Sequence, residues 1–71
     1  MDRTEFADST AIAEIRYLPD DLALEVTFTS GAVYLYAGVP VDVAEGFSAA
    51  ASPGTFFQEE IRNLYSYRRL R

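Results

Sequence analysis

The fold of this chain is decided between Phe28 and Tyr65, a stretch that begins FTSGAVYLYAGVP (residues 28–40) and ends SPGTFFQEEIRNLY (residues 52–65). The first part holds a strand of alternating tyrosines that ends at a proline, where a helix can start. The second part opens with Ser-Pro, which is a strong start signal for a helix, and carries two phenylalanines. This order predicts strands followed by helices.

Two more strands are predicted upstream of this stretch. Apolar and charged side chains alternate from Ala11 to Leu18, and the alternation is cleanest over residues 22–29. A Pro-Asp-Asp turn separates these two segments, and the Thr-Ser-Gly turn at residues 29–31 leads into the strand of the tyrosines. Three strands joined by short turns predict an antiparallel meander.

The length of the second turn determines which way Tyr34 and Tyr36 point. A three-residue loop pairs Phe28 with Ala32 and places both tyrosines on the apolar face of the preceding strand. A two-residue loop pairs Phe28 with Val33 and turns the tyrosines outward, because a shift of one residue exchanges the faces of a strand. The apolar Val33 and Leu35 slightly favour the second loop, and the residues alone leave both orientations open.

Two helices are predicted after the strands. The first starts at Pro40 or just after it, with Val43 and Phe47 four residues apart on its inner face. The second is capped by Ser52 and runs to about Tyr65 or beyond, with an apolar stripe at helical spacing.

The predicted fold is therefore of the α+β class, a three-stranded antiparallel β-meander followed by two α-helices packed on one face (β-β-β-α-α). Residues 1–8 are predicted to form a flexible lead-in, residues 9–67 one domain, and residues 68–71 a basic tail. The predicted core consists of Ile15, Tyr17, Leu24, Val26, Phe28, Tyr34, Tyr36, Val43, Phe47, Phe57, Ile61 and Leu64.

The Y-x-Y strand, the Val39-Pro40 pair and the SPGTFF segment together resemble the KTSC domain family. These are small domains that stand alone in bacteria and phages or close the chain of some lysyl-tRNA synthetases. The resemblance covers roughly residues 9–67 and implies the same β-β-β-α-α order. Because the middle residue of the family's Y-x-Y is variable and often polar, the resemblance also implies that Tyr34 and Tyr36 pack toward the helices, and this is the orientation we predict. No biochemical activity is established for the family, and RNA binding is suspected.

The composition excludes several kinds of chemistry. The chain has neither cysteine nor histidine, so it lacks disulfides, thiol nucleophiles, the usual zinc ligands and the commonest general base. We expect a non-catalytic protein without a cofactor or metal. The absence of cysteine and of a signal-peptide pattern favours a cytoplasmic location, and the apolar runs are too short to span a membrane.

The charge is unevenly distributed along the chain. Residues 1–61 carry two arginines and eleven acids, a net charge of −9, whereas residues 62–71 carry four arginines and no acid, a net charge of +4. Arginines interleaved with tyrosines can clamp phosphates and stack bases, which is typical of single-stranded nucleic-acid binding. We expect the partner to be a single-stranded or structured RNA, and the candidate RNA-binding residues are Arg62, Tyr65, Tyr67, Arg68, Arg69 and Arg71.

Two other interpretations stay open. Cations near the end of a helix can simply complement the helix dipole. The face of the sheet that the helices leave uncovered could instead dock a protein partner or a second copy of the chain. The residues predicted for that alternative are Thr27, Thr29, Val33 and Leu35.

Overall fold

The computed structural model describes residues 2–7 and 9–71 of the chain. Within them, five strands form one antiparallel sheet in sequential order: β1 Asp2–Glu5, β2 Ile12–Leu18, β3 Ala23–Phe28, β4 Val33–Ala37 and β5 Tyr67–Arg69. A 3₁₀ turn, Pro19–Asp21, joins β2 to β3. Two helical segments lie between β4 and β5: α1, Val41–Ser48, and α2, Pro53–Phe56, which continues as a π-helical turn over Phe57–Ile61.

The α+β class is confirmed, but the prediction of three strands is too low. The segment predicted as a lead-in contains β1, and the segment predicted as a tail contributes Arg68 and Arg69 to β5. Met1 and Asp8, also in the predicted lead-in, lie outside the described residues. Both additional strands are short, polar edge strands without an apolar alternation, and they are held by main-chain pairing to β2 and β4.

The β3–β4 hairpin has the longer of the two predicted turns. The amide of Phe28 donates to the carbonyl of Ala32 at 2.9 Å. Tyr34 lies opposite Val26 and Tyr36 opposite Leu24. Both tyrosines therefore face the helices, which confirms the predicted orientation.

A bulge in β2 adds a residue to the core that the alternation did not indicate. The pairing shifts between Ile12, which lies opposite Phe28, and Glu14, which lies opposite Thr27. The extra residue turns Ile12 to the same side as Ile15, and both are fully buried. A strictly alternating strand would have placed them on opposite faces.

Most of the predicted core is confirmed. Eight predicted residues are buried, and Phe28, Tyr34 and Val43 pack against them while half-exposed. The prediction of Leu64 as a core residue is wrong, because 61% of this residue is exposed. The buried residues missing from the prediction are Ile12, Ala23, Val33, Val39, Ala44 and Pro53.

The second helix ends earlier than its apolar stripe indicated. The amide of Arg62 donates to the carbonyl of Phe57 at 2.8 Å, five residues back, and Arg62 itself is extended. Asn63 then takes a positive φ of 69°, a conformation that asparagine adopts more readily than most residues. Leu64 is therefore no longer on the helix that would have buried it.

Ser52 occupies the predicted cap position without capping through its side chain. Its hydroxyl donates to the hydroxyl of Thr55 at 2.9 Å, while its carbonyl accepts the amide of Phe56.

In the described part of the chain, no helix is long and apolar enough to cross a membrane.

Candidate functional site

A cleft of about 510 Å³ opens between the β3–β4 hairpin and the chain that follows the π-helical turn. Five of its eleven lining residues are aromatic, and hydroxyl, amide and guanidinium groups lie around them. Its lining consists of Ala11, Phe28, Thr29, Ser30, Ala32, Tyr34, Tyr36, Phe57, Arg62, Asn63 and Tyr67. We call it the aromatic cleft.

The floor of the aromatic cleft is built on Phe57. Its ring meets Phe28 edge-on at a centroid distance of 5.2 Å and an interplanar angle of 85°. It meets Tyr36 at 5.7 Å and 77° on its other side. Edge-to-face packing of this kind stabilises buried rings beyond the area they bury, so the floor is rigidly held.

One wall is a cluster of three tyrosines from β4 and β5. Tyr67 lies 5.4 Å from Tyr34 and 5.6 Å from Tyr36 between ring centroids. The three rings differ in exposure, because Tyr36 is buried, Tyr34 is half-buried and Tyr67 is 63% exposed. Tyr67 therefore offers the most accessible aromatic surface of the cleft.

Two arginines lie at the cleft. Arg62 is part of its lining. The guanidinium of Arg69 lies 5.8 Å from the centroid of the Tyr34 ring, a cation–π contact. The Nε–H of Arg69 donates to the main-chain oxygen of Arg71 at 3.0 Å, and this bond limits the orientations open to its side chain.

The π-helical turn positions the polar residues Arg62 and Asn63 at the cleft. Because the bond from Arg62 to Phe57 closes the helix with one residue more than an α-helical turn, the chain leaves the helix at Arg62 and turns back at Asn63. Such turns often occur at functional sites. Here the turn brings Arg62 and Asn63 to the same cleft as the β4 tyrosines.

The electrostatics of the cleft differ from those of the whole chain. Although the chain carries eleven acids, no acidic side chain of the described residues lines the cleft. Burial raises the pKa of Tyr36 above its ordinary value, nearby Tyr67 and Tyr34 raise it further, and Arg62 partly opposes them. Tyr36 therefore stays a neutral phenol at physiological pH, and Arg62 contributes positive charge.

A second cleft, of about 530 Å³, lies between the β1–β2 connection and the start of α2. Its lining includes Glu5 and Phe6 but no arginine among the described residues. The hydroxyls of Ser52 and Thr55 in this lining already bond to each other. It offers an anionic ligand no cation.

The structure divides the predicted RNA-binding residues between different surfaces. Arg62 and Tyr67 line the aromatic cleft, and Arg69 lies over its Tyr34 wall. Arg68 pairs with Leu35 on the opposite face of the sheet.

The other two predicted residues also lie away from the cleft lining. Tyr65 is half-buried against the core. The amide of Arg71 donates to the carbonyl of Val33 at 3.2 Å, beyond the end of β5.

The residues predicted for protein docking do not form one surface. Thr27, Val33 and Leu35 share the face of the sheet away from the helices. Val33 is buried there, at 3% exposure. Thr29 instead lines the aromatic cleft, where its hydroxyl donates to the carbonyl of Thr10 at 3.0 Å.

Sequence reasoning assigned part of the cleft to the core and missed another part. Tyr34 and Tyr36 were predicted as packing residues only, because their alternation indicates a face of the sheet and not a cavity. Asn63 was not predicted as a site residue. Its preference for a left-handed conformation after an apolar helical stripe is the signal that could have located the chain reversal.

Comparison with known proteins places this geometry in a family. The family model described as KTSC domain matches residues 8–65. A KTSC domain protein from Yersinia pestis has a crystal structure that matches 99% of this chain and 97% of its own, with a TM-score of 0.91 and 33% sequence identity. An uncharacterized protein from Stutzerimonas stutzeri is 35% identical over 63 residues, which are 87% of this chain and 89% of that protein.

A longer relative is the lysine–tRNA ligase of Nostoc sp., which is 33% identical over 63 residues. These residues are 89% of this chain but 11% of the ligase. The lysine–tRNA ligase of Trichormus variabilis is 35% identical with the same coverage. The chain thus spans about a tenth of the length of the ligases that it matches.

Proposed function

The chain belongs to the KTSC domain family, and on this premise we propose that it is a non-catalytic module that binds single-stranded RNA in the aromatic cleft. Stacking of bases on tyrosine and pairing of phosphates with arginine are the contacts by which proteins hold unpaired RNA. The cleft contains both kinds of group within one concave surface.

The observation that carries the proposal is the combination of Tyr67, Arg62 and Arg69 at a cleft without acidic lining residues. The chain has a net charge of −5, so as a whole it repels a polyanion. The aromatic cleft is a place where exposed aromatic area and positive charge coincide. Long-range repulsion by the remaining acids is screened beyond about 10 Å at 0.1 M salt.

The relatives support RNA as the ligand. A segment similar to 89% of this chain occurs in lysine–tRNA ligases, enzymes whose name describes work on an RNA. A small domain attached to such an enzyme has an RNA within reach. We therefore place RNA ahead of other polyanions.

The chemistry of the cleft favours binding over catalysis. Its described lining offers hydroxyls, one amide, one guanidinium and tyrosines. The arginine stays charged and the phenol of Tyr36 stays neutral near pH 7, so neither group exchanges a proton readily. Such groups hold and orient a ligand.

The sheet face away from the helices is the weaker candidate. Arg16 on that face donates to Glu25 at 3.3 Å, and Glu25 lies opposite Leu35 in the neighbouring strand. Val33 is already buried, and Leu35 is partly buried. A partner would therefore gain little from covering this face.

The test uses the two neighbouring arginines of β5 as a matched pair. Fluorescence anisotropy measures binding of a labelled single-stranded RNA of about twelve nucleotides to the protein and to Arg62→Ser, Arg69→Ser and Arg68→Ser. If two phosphates are neutralised, the log–log salt slope is about −1.4, and each cleft arginine that is removed reduces it by about 0.7. Arg68→Ser carries the same charge change on the opposite face and should bind as the parent does.

Three results would contradict the proposal. Equal losses of RNA affinity for Arg68→Ser and Arg69→Ser would show that the overall positive charge of residues 62–71 attracts the RNA. Undiminished binding by both Arg62→Ser and Arg69→Ser would place the RNA elsewhere. No binding at low salt would exclude an RNA role.

A further inference from the structure

We infer that the aromatic cleft holds a single unpaired nucleotide, with one base stacked on Tyr67 and its two flanking phosphates at Arg62 and Arg69. The inference rests on the proposed function for the class of its ligand, RNA, and adds how much of the strand is held. It follows from the number of free stacking surfaces, the number of cations and the size of the cleft.

Of the aromatic rings that line the cleft, Tyr67 leaves the largest surface free for a base. Phe57 is enclosed edge-on by Phe28 and Tyr36. The Tyr34 ring contacts the guanidinium of Arg69 at 5.8 Å. Tyr67 contacts the other tyrosines but is 63% exposed, so it can stack one further ring.

The cations match the phosphates of one nucleotide. Of the four arginines between residues 62 and 71, only Arg62 and Arg69 are placed at the cleft by the structure. Arg68 is on the other face, and Arg71 lies beyond β5 beside Val33. Two cations neutralise about two phosphates, and this limits the salt slope to about −1.4 on a single strand.

The volume of the cleft also favours a site for one nucleotide. Its volume of about 510 Å³ falls within the range of small-ligand sites, roughly 300–1,000 Å³. Sites that track a strand extend over roughly 4–16 nucleotides in a groove lined by several aromatic and basic groups. The second cleft shares Ala11 with the aromatic cleft but has no arginine in its described lining, so the basic groups do not extend into it.

The test compares a minimal probe with longer strands. Adenosine 3′,5′-bisphosphate carries one base and two phosphates, and it should displace a labelled RNA of about twelve nucleotides. Inorganic phosphate at the same concentration should not displace it, because it lacks the base. Unlabelled strands longer than about three nucleotides should gain affinity only in proportion to the number of positions at which a nucleotide of the strand can enter the cleft. Between about 50 and 200 mM salt, affinity should fall by about sevenfold, the result of a slope of −1.4.

Variants at one position separate stacking from folding. Tyr67→Ala should weaken both probes by about 5- to 150-fold, the range for loss of one stacked base. Tyr67→Phe keeps the ring and should bind as the parent does. Leu64→Ala truncates another exposed apolar side chain outside the cleft lining and serves as the control. Circular dichroism of each variant establishes that the fold is retained.

The outcomes distinguish this inference from the proposed function. The one-nucleotide site is wrong if affinity rises steeply with strand length, if the salt slope is steeper than about −3 and if the bisphosphate fails to compete. RNA binding itself would stand in that case. If the bisphosphate binds in a Tyr67-dependent manner but no RNA strand does, the proposed function is wrong and the one-nucleotide site stands. If neither probe binds at low salt, both are wrong.

Discussion

The hydroxyl of Tyr17 donates a 2.6 Å hydrogen bond to the carbonyl of Val39 and so joins β2 to the loop that leads into α1. Both residues are buried, at 3% and 0% exposure. Pro40, directly after Val39, has the extended conformation from which α1 begins. The bond therefore fixes the point at which the chain leaves the sheet and covers it with helices.

Tyr17→Phe should lower the free energy of unfolding by about 1–3 kcal/mol, because it leaves the buried Val39 carbonyl without its donor. Urea denaturation measures the change. Tyr65→Phe is the matched control, since the Tyr65 hydroxyl makes no hydrogen bond within the described residues, and its midpoint should barely move. Equal, small changes for both variants would show that the Tyr17 hydroxyl does not stabilise the fold.

Stability should decrease in alkaline solution. Burial raises the pKa of Tyr17 and of Tyr36 above 10.0, with smaller contributions from Asp42 and from the neighbouring tyrosines, respectively. The unfolded chain therefore releases these two protons first as pH rises. The free energy of unfolding should be insensitive to these groups below pH 10 and should fall as pH increases above it.

The check is urea denaturation from neutral pH to above 10, compared with the double variant Tyr17→Phe and Tyr36→Phe. The double variant should lose part of the decline, because it has neither ionisable group. In a parallel titration of tyrosinate absorbance, the double variant should lack two ionisations that the parent shows above pH 10.0. An identical pH dependence in parent and double variant would oppose this account.

Phe57→Ala and Leu64→Ala should differ strongly, although both positions belong to the same apolar stripe in the sequence. Phe57 packs between Phe28 and Tyr36, and its truncation should cost about 3–5 kcal/mol. Leu64 is 61% exposed, and its truncation should change stability by less than about 0.5 kcal/mol. A large loss at Leu64 in chemical denaturation would mean that the helix continues past Ile61 and buries it.

Gly38→Ala should destabilise the protein by about 1–2 kcal/mol. Gly38 has a φ of +76° at the end of β4, and a residue with a Cβ is strained there even though no atom lies within 4 Å of the added carbon. Gly54→Ala is the matched control. Its Cβ would lie at an ordinary 3.7 Å from Ala11, and the loss of chain entropy in the unfolded state should stabilise the protein by about 0.4–1 kcal/mol.

Thermal or urea denaturation of these two variants shows whether each substitution raises or lowers the free energy of unfolding. If both alanines raise stability, the left-handed conformation of Gly38 is not required for the chain to leave β4. If both lower it, crowding near α2 outweighs the entropy gain at Gly54.

Local patterns were sufficient for β3 and β4. The alternation from Leu24 to Phe28 and the tyrosines of β4 predicted two paired strands, and the position of the turn glycine allowed the register that the structure has. The start of the first helix after Pro40 was predicted for the same kind of reason, since proline suits a first turn.

The edge strands and the end of the second helix were not predictable in this way. Asp2–Glu5 and Tyr67–Arg69 have no apolar alternation, and each becomes a strand because a neighbouring strand offers unpaired main-chain groups. The stripe that includes Leu64 favours a longer helix, but the main-chain bond from Arg62 to Phe57 closes the helix first.

The aromatic cleft shows this division at the level of the site. The residue types of the chain's end, four arginines with Tyr65 and Tyr67, are visible in the sequence and were enough to raise RNA binding as a hypothesis. Which of them act together depends on the pairing of β5 with β4, which sends Arg68 and Arg69 to opposite faces. Side-chain identity and short-range periodicity are properties of the chain itself, whereas the face that a short edge strand presents is set by its partner strand, and so only the tertiary structure decided it.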